Sequence, residues 1–327
     1  MPANQPSRTL FKNVRVLDGT GEYPFTGEVM VEGNRIKEVA RGPNRFPGVG
    51  ADHEVIDGNG ATLMPGLCDA HTHFSWNNAA SLEGLMMMPP EEHTLLSAKT
   101  AATMIDMGYT SCVGAASAKE RLDVVIRNAI NSGDIPGPRY LANGPEIATL
   151  GGLGDTAPPH IMVPEMNFGW VISGPEEMRA AVRRFIKFGV DLIKLNLSGE
   201  SITGVGAEET PMADDEIAMA VREAKARGKR ICAHARSDQS VRYCLDYGIQ
   251  IIYHASYASD KTIEDLAARK DEFFVAPGLA WLINTGYHAG DYGLPPEVAG
   301  EMGYHRELEQ AIKTMRKMKD AGIRVLP

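Results

Sequence analysis

Apolar positions in the first sixty residues fall in short or alternating runs, as at 10–16 and 28–31, with turn signals at Asp18-Gly19 and Glu32-Gly33-Asn34 beside them. That spacing predicts short strands joined by tight turns, a small antiparallel β region. Beyond residue 61 the pattern changes, and short apolar runs alternate with amphipathic stretches of ten or more residues, as in βα units around a parallel sheet. Strands are predicted at 63–70, 110–114, 139–143, 192–197, 230–234, 249–254, 273–276 and 323–326, and helices at 91–107, 119–131, 175–188, 214–227, 240–247, 262–269 and 306–321. Gly108, Gly133, Gly189, Gly228, Gly248 and Gly322 stand just past helix ends, where a left-handed residue closes the last turn. Eight strands with helices between them predict an α/β fold of the (β/α)8 TIM-barrel type, with its chemistry at the C-terminal strand ends. Residues 1–60 are assigned to the small β segment and 61–327 to the barrel.

A chain of 327 residues, 43% hydrophobic and 23% charged, has enough apolar material for a sizeable core. Its net charge of −9, with no block of Lys or Arg, argues against nucleic acid or an anionic membrane as partner. No apolar run approaches the roughly 18 residues of a membrane span, and residues 1–7 do not resemble a signal peptide, so a cytoplasmic location is expected. Cys68, Cys112, Cys232 and Cys244 form no Cys-x-x-Cys pair and are read as buried thiols.

The first barrel strand runs into Pro65-Gly66-Leu67-Cys68-Asp69-Ala70-His71-Thr72-His73. Alternate residues of a strand share a face, so His71 and His73 can point together into the barrel mouth, an arrangement suited to a metal. His234 and His254 end the fifth and sixth strands in the same way. A single histidine is more often a hydrogen-bonded core residue, but four at strand ends favour ligation. His53, His93, His160, His288 and His305 fall in turns, helices or loops, where solvated or locally bonded rings are expected; His160, in a Pro-rich loop, is a candidate for touching substrate. Lys194 lies inside the apolar strand Leu192-Ile193-Lys194-Leu195, where an unpaired ammonium is costly. It is either a snorkelling strand-end lysine or an amine that adds carbon dioxide to become a metal-bridging carbamate.

With these segments the chain resembles the amidohydrolase superfamily, specifically its two-metal imidazolonepropionase-like and prolidase-like branch, which includes ochratoxin-, phenylurea- and molinate-hydrolysing enzymes. The resemblance is carried by the 65–73 segment, by Gly189-Val190-Asp191-Leu192-Ile193-Lys194, and by His234 and His254, and it runs from about residue 8 to the end. It implies that the N-terminal segment belongs to a small β-sandwich. It also implies two divalent metals, zinc first with cobalt or manganese as alternatives: His71 and His73 on one, His234 and His254 on the other, and carbamylated Lys194 between them. A hydroxide shared by the metals would attack the carbonyl of a C–N bond.

The family pattern adds an aspartate at the end of strand eight. The chain reaches Pro327 without one, so no catalytic residue is assigned and the chain is read as a C-terminally shortened form. Leu153 stands where relatives often carry a histidine. The long segment 277–305, together with Trp76 and Met86, Met87 and Met88, suggests an apolar or aromatic substrate pocket, with ordinary loop packing an equal alternative. Asn77 and Tyr257 follow ligand strands as possible substrate contacts. The expectation is a metal-dependent hydrolase cleaving an amide, carbamate, thiocarbamate or urea bond of a small apolar or aryl molecule, in a chain able to form a homo-oligomer. The alternatives are a deaminase of the same superfamily and a truncated, metal-binding form with little turnover.

Overall fold

Strands β1 (Arg8–Val16), β2 (Phe25–Glu32) and β3 (Arg35–Arg41) pair antiparallel in sequence, while β4 (His53–Asp57) and β5 (Thr62–Leu63) both add parallel to β1. Val14, Val16 and Val29 form the core of this sheet. The computed structural model describes residues 8–47, 49, 53–76, 81–161 and 163–326, and its chain divides into two units, Met1–Leu67 and Cys68–Pro327. The first unit differs from expectation in two respects. Its sheet is mixed rather than antiparallel, and its described residues form one layer, not a sandwich. The seam falls after Leu67 rather than at residue 61, because Thr62 and Leu63 still pair with Arg15 and Val16.

The second unit is built on parallel strands separated by helices. One sheet holds β6 (Leu67–Thr72), β7 (Tyr109–Gly114) and β8 (Arg139–Leu141); the other runs β10 (Trp170–Ile172), β9 (Ile147–Thr149), β11 (Leu192–Asn196), β12 (Arg230–Ala235), β13 (Ile251–His254) and β14 (Phe274–Ala276). The predicted eighth strand is present as one parallel bridge, Val275 with Val325. Helices α1 (Leu82–Met87), α2 (Pro90–Asp106), α3 (Leu122–Ser132), α4 (Pro175–Phe188), α5 (Asp214–Lys225), α6 (Asp238–Tyr247), α7 (Asp260–Ala268), α8 (Leu279–Tyr287), α9 (Pro296–Glu301) and α10 (Tyr304–Asp320) lie between and after the strands. This mixed α/β arrangement of parallel strands is consistent with a TIM-barrel type of fold. Gly133 (φ 81°) and Gly189 (φ 97°) close α3 and α4 in the left-handed conformation that their position requires.

Side-chain alternation sorts the strands. Ile193 and Leu195 of β11, Ile231, Ala233 and Ala235 of β12, and Ile252 of β13 join the large core with Val182, Phe185, Ile217, Val241 and Leu266 of the helices. Leu192, Cys232, Ile251, Tyr253 and Ala276 form a second, inner cluster. Lys194 and His234 share the strand faces of Leu192 and Cys232, so alternation aims both toward that inner cluster.

Three expectations are corrected. The segment 277–305 is largely helical: Leu282, Ala299 and Tyr304 bury themselves with Leu308 and Ala311, while Trp281, Tyr287 and Tyr292 are exposed rather than lining a pocket. β9 and β10 lie where only loop was expected, because three-residue strands carry too little periodicity to read. Cys68 is exposed, whereas the other three cysteines are buried. Among the described residues no helix is long and apolar enough to cross a membrane.

Candidate metal centre

The four strand-end histidines come together. The ring centroids of His71 and His73 are 5.2 Å apart, those of His71 and His254 5.0 Å, and those of His234 and His254 4.5 Å. Tyr253, from the inner cluster, stacks on His71 with centroids 3.9 Å apart and fixes that ring from below. His254 reaches the group by a backbone distortion. Alternation after Tyr253 would turn it outward, but His254 (φ 77°) and Ala255 (φ 53°) both adopt left-handed conformations. Consecutive non-glycine residues in that region are costly, and such strain concentrates at functional sites.

Backbone carbonyls determine which ring nitrogens are spoken for. Nδ1 of His73 lies 3.1 Å from the Ala116 carbonyl and Nε2 of His234 lies 3.0 Å from that of Gly199, so each of these nitrogens carries the proton and donates. The opposite nitrogen of each ring is left as a bare lone pair, the tautomer a metal-ligating histidine needs. Nε2 of His73 and Nδ1 of His254 are buried without a hydrogen-bond partner. Burial holds all four imidazoles well below the usual histidine range, and the Lys194 ammonium discourages protonation of each of them further. Gly278 (φ 61°), at the end of β14, completes the cradle. A Cβ there would lie 3.3 Å from Nδ1 of His254 and 3.6 Å from Nδ1 of His71, space that an ordinary side chain would crowd.

Lys194 is 2% exposed, and its Nζ lies 3.5 Å from Oε2 of Glu146 and 5.1 Å from the Tyr253 ring. The other Glu146 oxygen is buried without a partner. Among the described residues no three His, Cys, Asp or Glu side chains converge on a single ion unaided. The donor set nonetheless fits divalent metal: neutral imidazoles, two of them with orphaned nitrogens, an amine and a carboxylate.

The remaining candidates divide. Trp76 stacks on His73, with ring centroids 3.4 Å apart and planes 9° apart, and it also meets the Phe168 ring, tilted, at 5.0 Å. Leu153 is buried, and its carbonyl accepts a 3.0 Å bond from Asn196 two residues past Lys194. Tyr257 is half-buried beyond β13 and donates its amide N–H to the Arg236 carbonyl. His160 is exposed, and none of the ring contacts of the cluster includes it. Asn77 lies outside the described residues. Glu146, Tyr253 and Gly278 were not anticipated, although Tyr253 sits on the inner face by simple alternation with Ile251.

Arg236 was also missed. It is fully buried, with one guanidinium nitrogen on Glu200 and another on Glu307. Tyr304 donates to Glu200 (2.6 Å) and Ser256 to Glu307 (2.7 Å), so this network ties the loop after β11 to the ends of β12 and β13 and to α10. Gly199, whose carbonyl orients His234, is the neighbour of Glu200.

The four imidazoles make metal-free stability pH-dependent. Their folded pKa values lie below the 6.5 of a free histidine, so below pH 6.5 the unfolded chain takes up protons that the folded chain refuses. Stability present above pH 6.5 is therefore lost on acidification, by up to about 1.4 kcal/mol per pH unit for each ring. Buried Asp123, raised to about 7 by desolvation, opposes this, as do Glu200 and Asp69, which burial also raises, but these three carboxyls are fewer than the four rings. Thermal unfolding of chelator-treated protein should give a Tm that falls from pH 7 to pH 5; a flat or rising Tm would mean that the rings are not buried neutral.

Comparison with known proteins places these residues in a family. Residues 62–273, well over half the chain, match the model of the amidohydrolase family. Ochratoxinase from Aspergillus niger is 28% identical over 238 residues, covering 65% of this chain but only 47% of that enzyme, so the chain spans about half the length of this curated relative. A crystal structure of an amidohydrolase superposes with a TM-score of 0.85 at 27% identity, over 98% of this chain and 77% of the other. A prolidase complexed with N-methylphosphonate-L-proline superposes with a TM-score of 0.84 at 25% identity, over the same shares. A family match that spans β6 to the edge of β14, and with them all four clustered histidines and Lys194, leads to one conclusion: the chain belongs to the amidohydrolase family.

Proposed function

We propose that this chain is a metal-dependent hydrolase that cleaves the C–N bond of an amide, carbamate, thiocarbamate or urea in a small molecule with an apolar or aryl substituent. The observation that carries the reading is the convergence of His71, His73, His234 and His254, held neutral by desolvation and by the charge of Lys194. Two divalent ions, zinc first and cobalt or manganese next, would be held by the two histidine pairs, with a carbamate on Lys194 between them. When bound, they would supply charge to polarise a carbonyl and to acidify water.

The chain's own residues do the rest. The Ala116 and Gly199 carbonyls hold the His73 and His234 tautomers, Tyr253 and Trp76 clamp two rings by stacking, and Gly278 leaves room above His71 and His254. Glu146, 3.5 Å from the Lys194 Nζ, would balance its ammonium charge when no carbamate is present. The partner in this reading is a small molecule, not nucleic acid or a membrane. The likeness to a prolidase adds Xaa-Pro dipeptides to the bonds worth testing.

The test is a panel of aryl ureas, carbamates, thiocarbamates, N-acyl amino acids and Xaa-Pro dipeptides, assayed before and after chelation and after zinc, cobalt or manganese is restored. Hydrolysis of at least one class is expected to vanish on chelation and return with metal. Undiminished turnover without metal, or no turnover of any class by loaded protein, overturns the proposal.

A further inference from the structure

A groove of about 770 Å³ opens between α1, α3 and the segment before β10. Met86, Met87, Met88, Met166, Phe168 and Trp170 line it, drawn from α1 and from the segment between β9 and β10. Thioether side chains adapt to irregular apolar shapes, and the two aromatic rings give it flat faces. The segment is anchored: the Phe168 N–H donates to Thr156 (3.0 Å) and the Trp170 N–H to the carbonyl of Glu146 (2.7 Å), the residue that pairs with Lys194. Phe168 also meets Trp76, which stacks on His73. Two ring contacts therefore connect the groove wall to a candidate ligand.

Arg121 and Glu165 also line the groove but are exposed to water, so the half-buried cation in its wall is Lys119. Lys119 is half-buried and donates to the Met86 carbonyl, yet it forms no ion pair among the described residues. Its neighbour Glu120 is unavailable, because both its oxygens are held at 2.9 Å by Arg184. Burial lowers the pKa of Lys119, as expected of an ammonium that has given up water without gaining an anion. A half-desolvated cation beside a Met-rich aromatic groove is complementary to one kind of ligand: an apolar ring bearing an anion.

We infer that the groove between α1 and Trp170 is a binding site for an aryl carboxylate, with the ring against Met86–Met88, Phe168 and Trp170 and the carboxylate on Lys119. The assignment rests on the proposed hydrolase function only in calling this ligand part of a substrate; the binding site stands on its own geometry.

The probes are 2-naphthoate and its neutral isostere 2-naphthamide, titrated into the metal-free protein by calorimetry and by the fluorescence of Trp170. Naphthoate is expected to bind 1:1 and about tenfold more tightly than the amide, a difference of about 1.4 kcal/mol. Lys119→Met should abolish the preference and leave amide binding unchanged, Lys119→Arg should retain it, and His71→Ala should have no effect on either probe. Equal affinity for the two probes, no binding of naphthoate, or a preference that survives Lys119→Met overturns the inference. Because the readout needs no turnover, naphthoate binding in a protein that hydrolyses nothing would sink the hydrolase reading and leave the site standing.

Discussion

Replacing His71 with alanine is expected to lower hydrolysis about a thousandfold and to cut bound metal by about half. His71 touches more of the centre than any other ring: its contacts include His73, His254 and Tyr253, and its Nδ1 faces Gly278. Charge stabilisation by a bound cation is worth several kcal/mol, and each 1.36 kcal/mol is tenfold in rate, so loss of one ion corresponds to three decades or more. Metal content by mass spectrometry and kcat/KM on the best substrate of the panel measure the two effects separately. A Trp76→Phe variant is the control, since it keeps an aromatic face on His73 and every candidate ligand. Normal metal content and turnover in His71→Ala would refute the assignment of the cluster.

Arg236→Met should be among the most destabilising single changes in the chain, by about 3–5 kcal/mol, because it strands two buried carboxylates. Glu200 and Glu307 are both buried, and burial already pushes the Glu200 carboxyl up despite the guanidinium beside it. For a unit of this size the loss corresponds to a fall in Tm of roughly 6–10 °C. Adding Glu200→Gln and Glu307→Gln to Arg236→Met removes the stranded charge and should recover at least about 2 kcal/mol. A triple variant no more stable than the single one would mean that Arg236 acts through packing alone. His234 should feel the change as well, since the loop that presents the Gly199 carbonyl to its Nε2 is the one Arg236 anchors through Glu200.

Much of the architecture was legible because its signals are local. Helices α2, α4 and α10 follow from apolar spacing, and the left-handed Gly133 and Gly189 close helices where a glycine was expected. The segment 277–305 was misread for the opposite reason. Its aromatic residues resemble a pocket rim, yet only the contacts of Leu282, Ala299 and Tyr304 with Leu308 and Ala311 reveal it as helices with their own small core. The mixed order of the N-terminal sheet was equally hidden, since nothing local tells β4 and β5 to run parallel to β1.

The candidate ligands themselves were readable one by one. His71, His73 and His234 end strands, Lys194 interrupts an apolar run, and alternation is a property of the backbone that any strand obeys. Packing decided what those residues become together. His254 faces the cluster only because the chain turns left-handed at His254 and Ala255, a distortion that has no sequence signature and is held in place by the surrounding fold. Glu146 meets Lys194 across 48 positions of sequence and Arg236 meets Glu307 across 71; such charge pairs form only when distant parts of the chain are brought together, because electrostatic contact depends on distance in space and not along the chain.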